Sequence, residues 1–214
     1  MRHRSPGLIE TVRVRDGVAP LWGFHLARLM RSCRSVGIEP PLALETPAGG
    51  ADRVVRLVVR SGEVERSERP IGATRPVRLV TSAVRHVPYP DKTTNRAPFD
   101  RARAEAEAAG ADDGMMLVAG GWVAETAVWG VYWWEGDRLC APPLELGLLR
   151  SVARERVREV VGEIDERRAA PAELTSRAAF VANAARGVIH VASIDGVSVV
   201  ESSRTARVAG LFWA

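Results

Sequence analysis

Lysine is almost missing from this chain: of 30 Lys and Arg residues, Lys92 alone is a lysine. Arginine supplies positive charge everywhere else. It cannot replace a lysine whose neutral amine must attack a carbonyl, because guanidinium stays protonated and forms no stable imine. The single lysine, inside Asp91-Lys92-Thr93-Thr94-Asn95-Arg96, is therefore a candidate Schiff-base residue; the plainer reading is codon bias that left one surface lysine. Cysteine is scarce as well. Cys33 and Cys140 lie far apart, outside any Cys-x-x-Cys or Cys/His cluster, and follow no secretion signal. Two reduced, buried thiols in a cytoplasmic protein are expected, with no disulfide and no metal site. Long apolar runs are also absent. None approaches the roughly 18 to 20 residues that span a bilayer, and the stretch from Met1 to Pro6 lacks the apolar core of a secretion signal. Membrane insertion is excluded. The formal charge of +4 is modest, and Arg and Glu interleave from Arg154 to Arg168. That pattern fits a solvated helix face better than a nucleic-acid surface.

What is present suits an ordinary globular protein: 214 residues, 46% hydrophobic, enough for one large domain or two small ones. Leu8 to Arg15 alternates apolar and polar and runs into Asp16-Gly17, so a β-hairpin is expected at the start. Leu26, Leu29, Met30, Cys33 and Val36 then fall at helical spacing from His25 to Val36, with Gly37 closing the helix. Arg28, Arg31, Arg34 and Ser35 are left for its outer surface. Residues 54–60 and 77–80 read as strands, and the proline-flanked stretch around Tyr89 as a linker. A helix is expected over 98–109, ended by Gly110. Strands follow at 115–118, within 122–134 and at 138–140, then a long helix over about 151–168. Strand-like pieces at 180–184 and 188–191 precede a hairpin at Asp195-Gly196. Helices and strands mix without a βαβ repeat, which predicts an α+β fold in two subdomains. The expected boundaries are residues 1–84 and 92–214, with a linker over 85–91.

Several segments, in order, resemble the class IV aminotransferase family, the fold type IV enzymes that use pyridoxal 5′-phosphate. Glu10-Thr11-Val12-Arg13-Val14-Arg15-Asp16-Gly17 is similar to the family's opening hairpin, and His25-Leu26-Ala27-Arg28-Leu29 to the helix after it. Lys92-Thr93-Thr94-Asn95-Arg96, followed by Phe99-Asp100-Arg101-Ala102, resembles the cofactor-lysine segment, particularly that of 4-amino-4-deoxychorismate lyases. Gly121-Trp122-Val123-Ala124-Glu125-Thr126 resembles the stretch whose glutamate meets the pyridine nitrogen. The resemblance implies a D-amino acid aminotransferase-like fold and a homodimer with the cofactor in the cleft between subdomains. It also implies roles: Lys92 bonds the cofactor, Arg28 contacts its phosphate, and Glu125 keeps its ring nitrogen protonated. A carboxylate paired with a pyridinium in a partly buried site would do that, as an electron sink requires. Burial would lower the Lys92 pKa and free its amine near neutrality.

The phosphate cup departs from the family pattern. Leu148 to Arg154 resembles its loop into a helix N-terminus, where Ser151, Val152 and Ala153 would hold phosphate. Arg150-Ser151 stands where Pro-Gly is usual, and Trp129-Gly130 where Ser-Asn is common. Ala182, beside Asn183, stands where relatives often have a threonine. Losing one such hydroxyl contact costs about 1 to 3 kcal/mol if the acceptor stays buried. Arg96, Arg150 and Arg154 are candidates for substrate carboxylates, and His86 and His190 receive no role. The lysine segment points to a lyase that converts 4-amino-4-deoxychorismate to 4-aminobenzoate and pyruvate. Transamination of a branched-chain, D-amino or related amino acid is the alternative, and a non-catalytic relative with a weakened cup is the third reading.

Overall fold

The computed structural model describes residues 6–214 and divides the chain into two compact units. The Met1–Pro6 reading therefore falls, up to Ser5, outside the described residues. The first unit comprises Met1–Ala73 with Pro90–Arg96. In it β1 (Leu8–Val14) pairs antiparallel with β2 (Arg53–Arg60), which pairs in turn with β3 (Glu63–Pro70), and α1 (Trp22–Val36) packs on the sheet. The core is set by the alternation along the strands: Val12, Val55 and Leu57 face Trp22, while Leu8 and Val59 meet Leu29 and Cys33. Gly37 takes the left-handed conformation that ends α1, as expected. The opening hairpin is shorter than its signal implies. Asp16-Gly17 does turn the chain, but only Arg15 and Val18 pair across it, and β1 finds its partner in β2, beyond α1. Strand β3, Glu-Val-Glu-Arg-Ser-Glu-Arg-Pro, is exposed along nearly all its length and carries no apolar alternation to announce it.

The second unit comprises Thr74–Tyr89 with Ala97–Ala214. It holds β4 (Val77–Arg85), α2 (Ala97–Ala108), β5 (Asp113–Leu117), β6 (Val123–Thr126), β7 (Gly130–Glu135) and β8 (Arg138–Ala141). A 3-10 turn at Leu144–Leu146 leads to α3 (Val152–Val161), β9 (Asp165–Glu166) and α4 (Pro171–Thr175). Then come β10 (Ala179–Asn183), β11 (Gly187–Ile194), β12 (Val197–Ser198) and α5 (Ser203–Leu211). One mixed sheet of nine strands runs β6-β5-β4-β11-β10-β7-β8-β9, with β12 on β11. Its core gathers Leu79, Met115, Val131, Trp133, Val181 and Val191. The helix expected over 151–168 ends early, because Gly162 terminates α3 and residues 165–166 instead pair with β8. Both cysteines are buried and free, and no described helix is long and apolar enough to cross a membrane.

The boundaries drawn from composition differ from this division. Strand β4 belongs to the second unit, where it lies between β5 and β11. The linker stretch is packed rather than loose: Tyr89 is buried and its N–H donates to the Gly147 carbonyl at 2.7 Å. The lysine segment joins the first unit by strand-like pairing, with Ile9 N–H on the Lys92 carbonyl at 2.7 Å and Thr94 N–H on that of Gly7 at 2.8 Å.

Helix α2 crosses β5 at Gly114 so closely that a Cβ there would lie 2.3 Å from the Ala102 carbonyl oxygen. Gly114→Ala is therefore expected to destabilise by about 3 kcal/mol, the upper end for overpacking against backbone. Gly23→Ala, in α1 with nothing within 4 Å of the added carbon, should be neutral or stabilising by up to about 1 kcal/mol. Urea unfolding midpoints at unchanged slope measure both.

Candidate active site: a lysine and two anchored carboxylates

In the first unit, helical spacing puts His25, Arg28, Ser32 and Ser35 on one stripe of α1. The upper half of that stripe meets Glu10 on β1. Arg28 forks onto the carboxylate through Nε (2.9 Å) and Nη2 (2.5 Å), and His25 Nδ1 donates to it at 2.5 Å. All three residues are buried. Arg28 is thus not a surface residue of the helix as the periodicity suggested, whereas Arg31 and Arg34 are exposed. The lower half of the stripe holds Asp91: Ser32 Oγ donates to one oxygen at 2.6 Å and Ser35 Oγ to the other at 2.9 Å. With the Ile9 N–H on its carbonyl, Lys92 is fixed through its own backbone and through its neighbour.

The electrostatics follow from burial and charge. Desolvation alone would raise the Glu10 carboxyl, but Arg28 and His25 outweigh it and hold the pKa at about 2. Burial pushes the His25 pKa down, with Arg28 and Lys92 acting in the same sense against the pull of Glu10. The neutral His25 ring therefore keeps its proton on Nδ1, and Nε2 is buried without a partner. Lys92 is lowered to about 7, first by desolvation and then by Arg28 and Arg96, with Arg56 adding to the effect and Glu10 opposing it. An amine in that range is substantially unprotonated at neutral pH, which nucleophilic attack requires.

In the second unit, Glu125 sits on β6, buried, with its Oε1 2.9 Å from His86 Nε2 and 3.4 Å from the Leu149 N–H. The strand end beside it is fixed by buried Asp113, which accepts from Thr126 Oγ1 at 2.5 Å and from the N–H groups of Gly114 and Val128 at 2.9 and 3.1 Å. Leu149 leads into α3, where the Ser151 Oγ caps the helix by accepting the Arg154 N–H at 3.0 Å. Val152 and Ala153 are buried, and no acceptor among the described residues meets their backbone N–H groups. These two donors lie at the positive end of a ten-residue helix, where the backbone can accept an anion. The second unit therefore brings Glu125 together with the approach to Ser151, Val152 and Ala153.

The remaining candidates separate. Ala182 is fully buried on β10, paired with Gly130 and Val188. The Asn183 side chain shapes the following turn, accepting the N–H groups of Ala185 (3.0 Å) and Arg186 (2.8 Å) and donating to the Val128 carbonyl at 3.3 Å. Arg154 is held by the Pro142 carbonyl (2.8 Å) and Glu166 (2.7 Å), whereas Arg150 is exposed. Arg96 belongs to the first unit and acts on Lys92. Sequence reasoning passed over Glu10 and His25 as site residues, and over His86. His86 lies 39 residues from Glu125 and gives no local signal; Glu10 is detectable only as the one charge on the core face of β1.

An α+β fold in two units, with a buried lysine of lowered pKa in the first and a buried carboxylate close to a helix N-terminus in the second, is compatible with a pyridoxal-phosphate class of protein. Residues 7–194 match the sequence model of the family described as Amino-transferase class IV, and the chain belongs to that family, whose members are pyridoxal-phosphate-dependent enzymes. Similar solved structures include a branched-chain aminotransferase from Thermoproteus uzoniensis, with TM-score 0.87, 23% identity, and 97% of this chain and 84% of that one covered. An aminotransferase from Brucella abortus bound to the cofactor has TM-score 0.83 and 20% identity over 97% of this chain and 88% of that one. A Legionella pneumophila protein provisionally assigned as a 4-amino-4-deoxychorismate lyase has TM-score 0.80 and 21% identity over 92% and 85%. No curated protein matches the sequence.

Glu10→Gln tests the first cluster. It leaves Arg28 buried without its charge partner, so a loss of about 3 to 5 kcal/mol is expected at neutral pH. Glu10 has a folded pKa of about 2 against an ordinary 4.5. Its contribution is therefore complete above pH 4.5 and lost as pH falls through 2, and the variant should lack that acid-side slope. The same change removes the charge that raises Lys92. Because the chain has one lysine, reductive [13C]methylation gives one lysine signal, whose titration midpoint should move down from near 7.

Proposed function

We propose that this chain is a pyridoxal-phosphate-dependent lyase that releases 4-aminobenzoate and pyruvate from 4-amino-4-deoxychorismate. The observation that carries the cofactor half of the proposal is Lys92, the sole lysine, held near a pKa of 7 on a backbone fixed to β1 and α1. The substrate half rests on the segment Lys92-Thr93-Thr94-Asn95-Arg96 with Phe99-Asp100-Arg101-Ala102. The residues present fit the cofactor. The N–H groups of Val152 and Ala153 are unmet donors suited to its phosphate, and Glu125 offers Oε2, free of the bonds that Oε1 accepts, to the ring nitrogen. Arg28 reaches Glu10 through Nε and Nη2, which leaves Nη1 as the nitrogen for the phosphate. When bound, pyridoxal phosphate supplies an electron sink for carbanionic chemistry at the amine-bearing carbon.

Lys92 would hold the cofactor through its amine until the substrate amine takes that place. Its freed neutral amine would then accept the proton from the amine-bearing ring carbon, and Glu125 would accept a hydrogen bond from the protonated ring nitrogen. Enolpyruvate would leave from the neighbouring carbon as the substrate ring becomes aromatic, the Lys92 ammonium would return its proton to the enol methylene to give pyruvate, and the Lys92 amine would take back the cofactor as 4-aminobenzoate is released. Arg96, beside Lys92, and exposed Arg150 serve the substrate carboxylates. Arg154, tied to Pro142 and Glu166, orders the cup instead. We place the enzyme in the cytoplasm as a homodimer.

Transamination is the second reading, favoured by the branched-chain aminotransferase among the similar structures. Incubating cofactor-loaded protein with 4-amino-4-deoxychorismate should yield 4-aminobenzoate. No product, together with conversion to the pyridoxamine form by an amino acid and its reversal by a 2-oxo acid, selects the transaminase. Lys92→Ala should lose the visible absorbance of the bonded cofactor and about 10²- to 10⁴-fold in kcat from proton transfer alone. Lys92→Arg should be no better.

A further inference from the structure

The His86 ring is wholly buried, with Nε2 2.9 Å from Glu125 Oε1. Its Nδ1 is buried with no hydrogen-bond partner. A proton on Nδ1 would be an orphaned donor and would leave two lone pairs facing each other at Oε1, so the ring proton belongs on Nε2. His86 therefore donates to Glu125, and the Leu149 N–H converges on the same oxygen at 3.4 Å. The ring itself is well held. Phe99 lies edge-on to it at 6.4 Å, and the backbone N–H of His86 donates to the Leu117 carbonyl at 3.0 Å.

We infer that His86 is a positioning residue that anchors Oε1 of Glu125 so that Oε2 is presented to the ring nitrogen of the cofactor. The inference rests on the assignment of Glu125 made above. A free glutamate side chain samples many rotamers, and ordering it carries an entropic cost; the imidazole bond meets that cost before the cofactor arrives. The chemistry of the donor matters too. A lysine or arginine in this place would pair with the carboxylate as a cation and compete with the pyridinium for its charge. A ring with one proton orients the carboxylate and leaves its charge intact.

The test uses the full chain loaded with ring-[15N]pyridoxal phosphate, whose nitrogen resonance separates the protonated from the unprotonated ring. The dissociation constant is read from the absorbance of the Lys92-bound cofactor. His86→Phe fills the ring's place without a donor, and His86→Gln sets an amide N–H where Nε2 was. With His86→Phe the resonance should move toward the unprotonated position and Kd rise about tenfold, and with His86→Gln the resonance should stay at the parent's position and Kd within about threefold of it. An unmoved resonance and parental Kd in His86→Phe overturn the inference. Glu125→Gln separates this from the reading beneath it. If that change leaves the resonance in place, the Glu125 assignment fails; if it moves the resonance and His86→Phe does not, only the role of His86 fails. Should His86→Phe not fold, [15N]histidine spectra of the unaltered protein decide. The signal that His86→Gln removes must show the Nε2–H tautomer, and an Nδ1–H tautomer overturns the inference.

Discussion

The buried carboxylate of Glu10 is the charge on which the first unit is organised. Without it, Arg28 and Lys92 would put two cations in one desolvated site with no anion to balance them. With it, Arg28 stays ionised inside the core and Lys92 falls only as far as about 7. Position follows from the same contact. The stripe of α1 that reaches Glu10 continues to Asp91, so the helix docking that satisfies the carboxylate also sets the backbone from which the lysine side chain leaves. The electrostatics of Lys92 and local stability are thus coupled through one residue on β1.

The second unit solves a related problem with less charge. Glu125, like Glu10, is a buried carboxylate served by a histidine whose other ring nitrogen is buried and unpartnered. The difference is the arginine. Glu10 is held by a bidentate guanidinium and is committed to it, whereas Glu125 has only an imidazole and one long amide bond. A carboxylate paired with its own arginine has its charge balanced within the fold; one held by an imidazole and an amide has no such cation among its partners in the described residues. That contrast, visible in the bonding alone, separates the two glutamates.

Much of this was legible in the sequence, and the parts that were not share a cause. Helix α1 and its Gly37 stop, α2 with Gly110 and the Asp195-Gly196 turn are written in local periodicity and turn residues, which short-range physics reads directly. Strand β3 is not, because an exposed edge strand needs no apolar alternation. Pairing of β1 with β2, and of the Lys92 segment with β1, is a long-range choice that no local signal fixes; hence Asp16-Gly17 reads as a full hairpin although β1 pairs beyond α1. Among the candidate residues, Lys92 stands out by chemistry, and Glu125 and the helix-end residues by resemblance. Periodicity alone leaves Arg28 on the helix surface, since it treats every arginine as polar and cannot see a buried anion across the sheet; only the resemblance gives it a ligand contact. Glu10 and His86 became visible only once the fold supplied their partners.

The scarcity of lysine acquires a physical sense from this arrangement. The groups that press the Lys92 pKa down after desolvation are arginines: Arg28, Arg96 and Arg56. Guanidinium keeps its charge across the accessible pH range, so the electrostatic pressure on Lys92 does not relax as the solution becomes alkaline. Lysines in those places would titrate in the upper part of that range and begin to release the pressure. They would also offer rival amines to an aldehyde-bearing cofactor. An arginine environment therefore does two things that a lysine environment cannot: it fixes the field around Lys92, and it leaves Lys92 the one side-chain amine in the sequence.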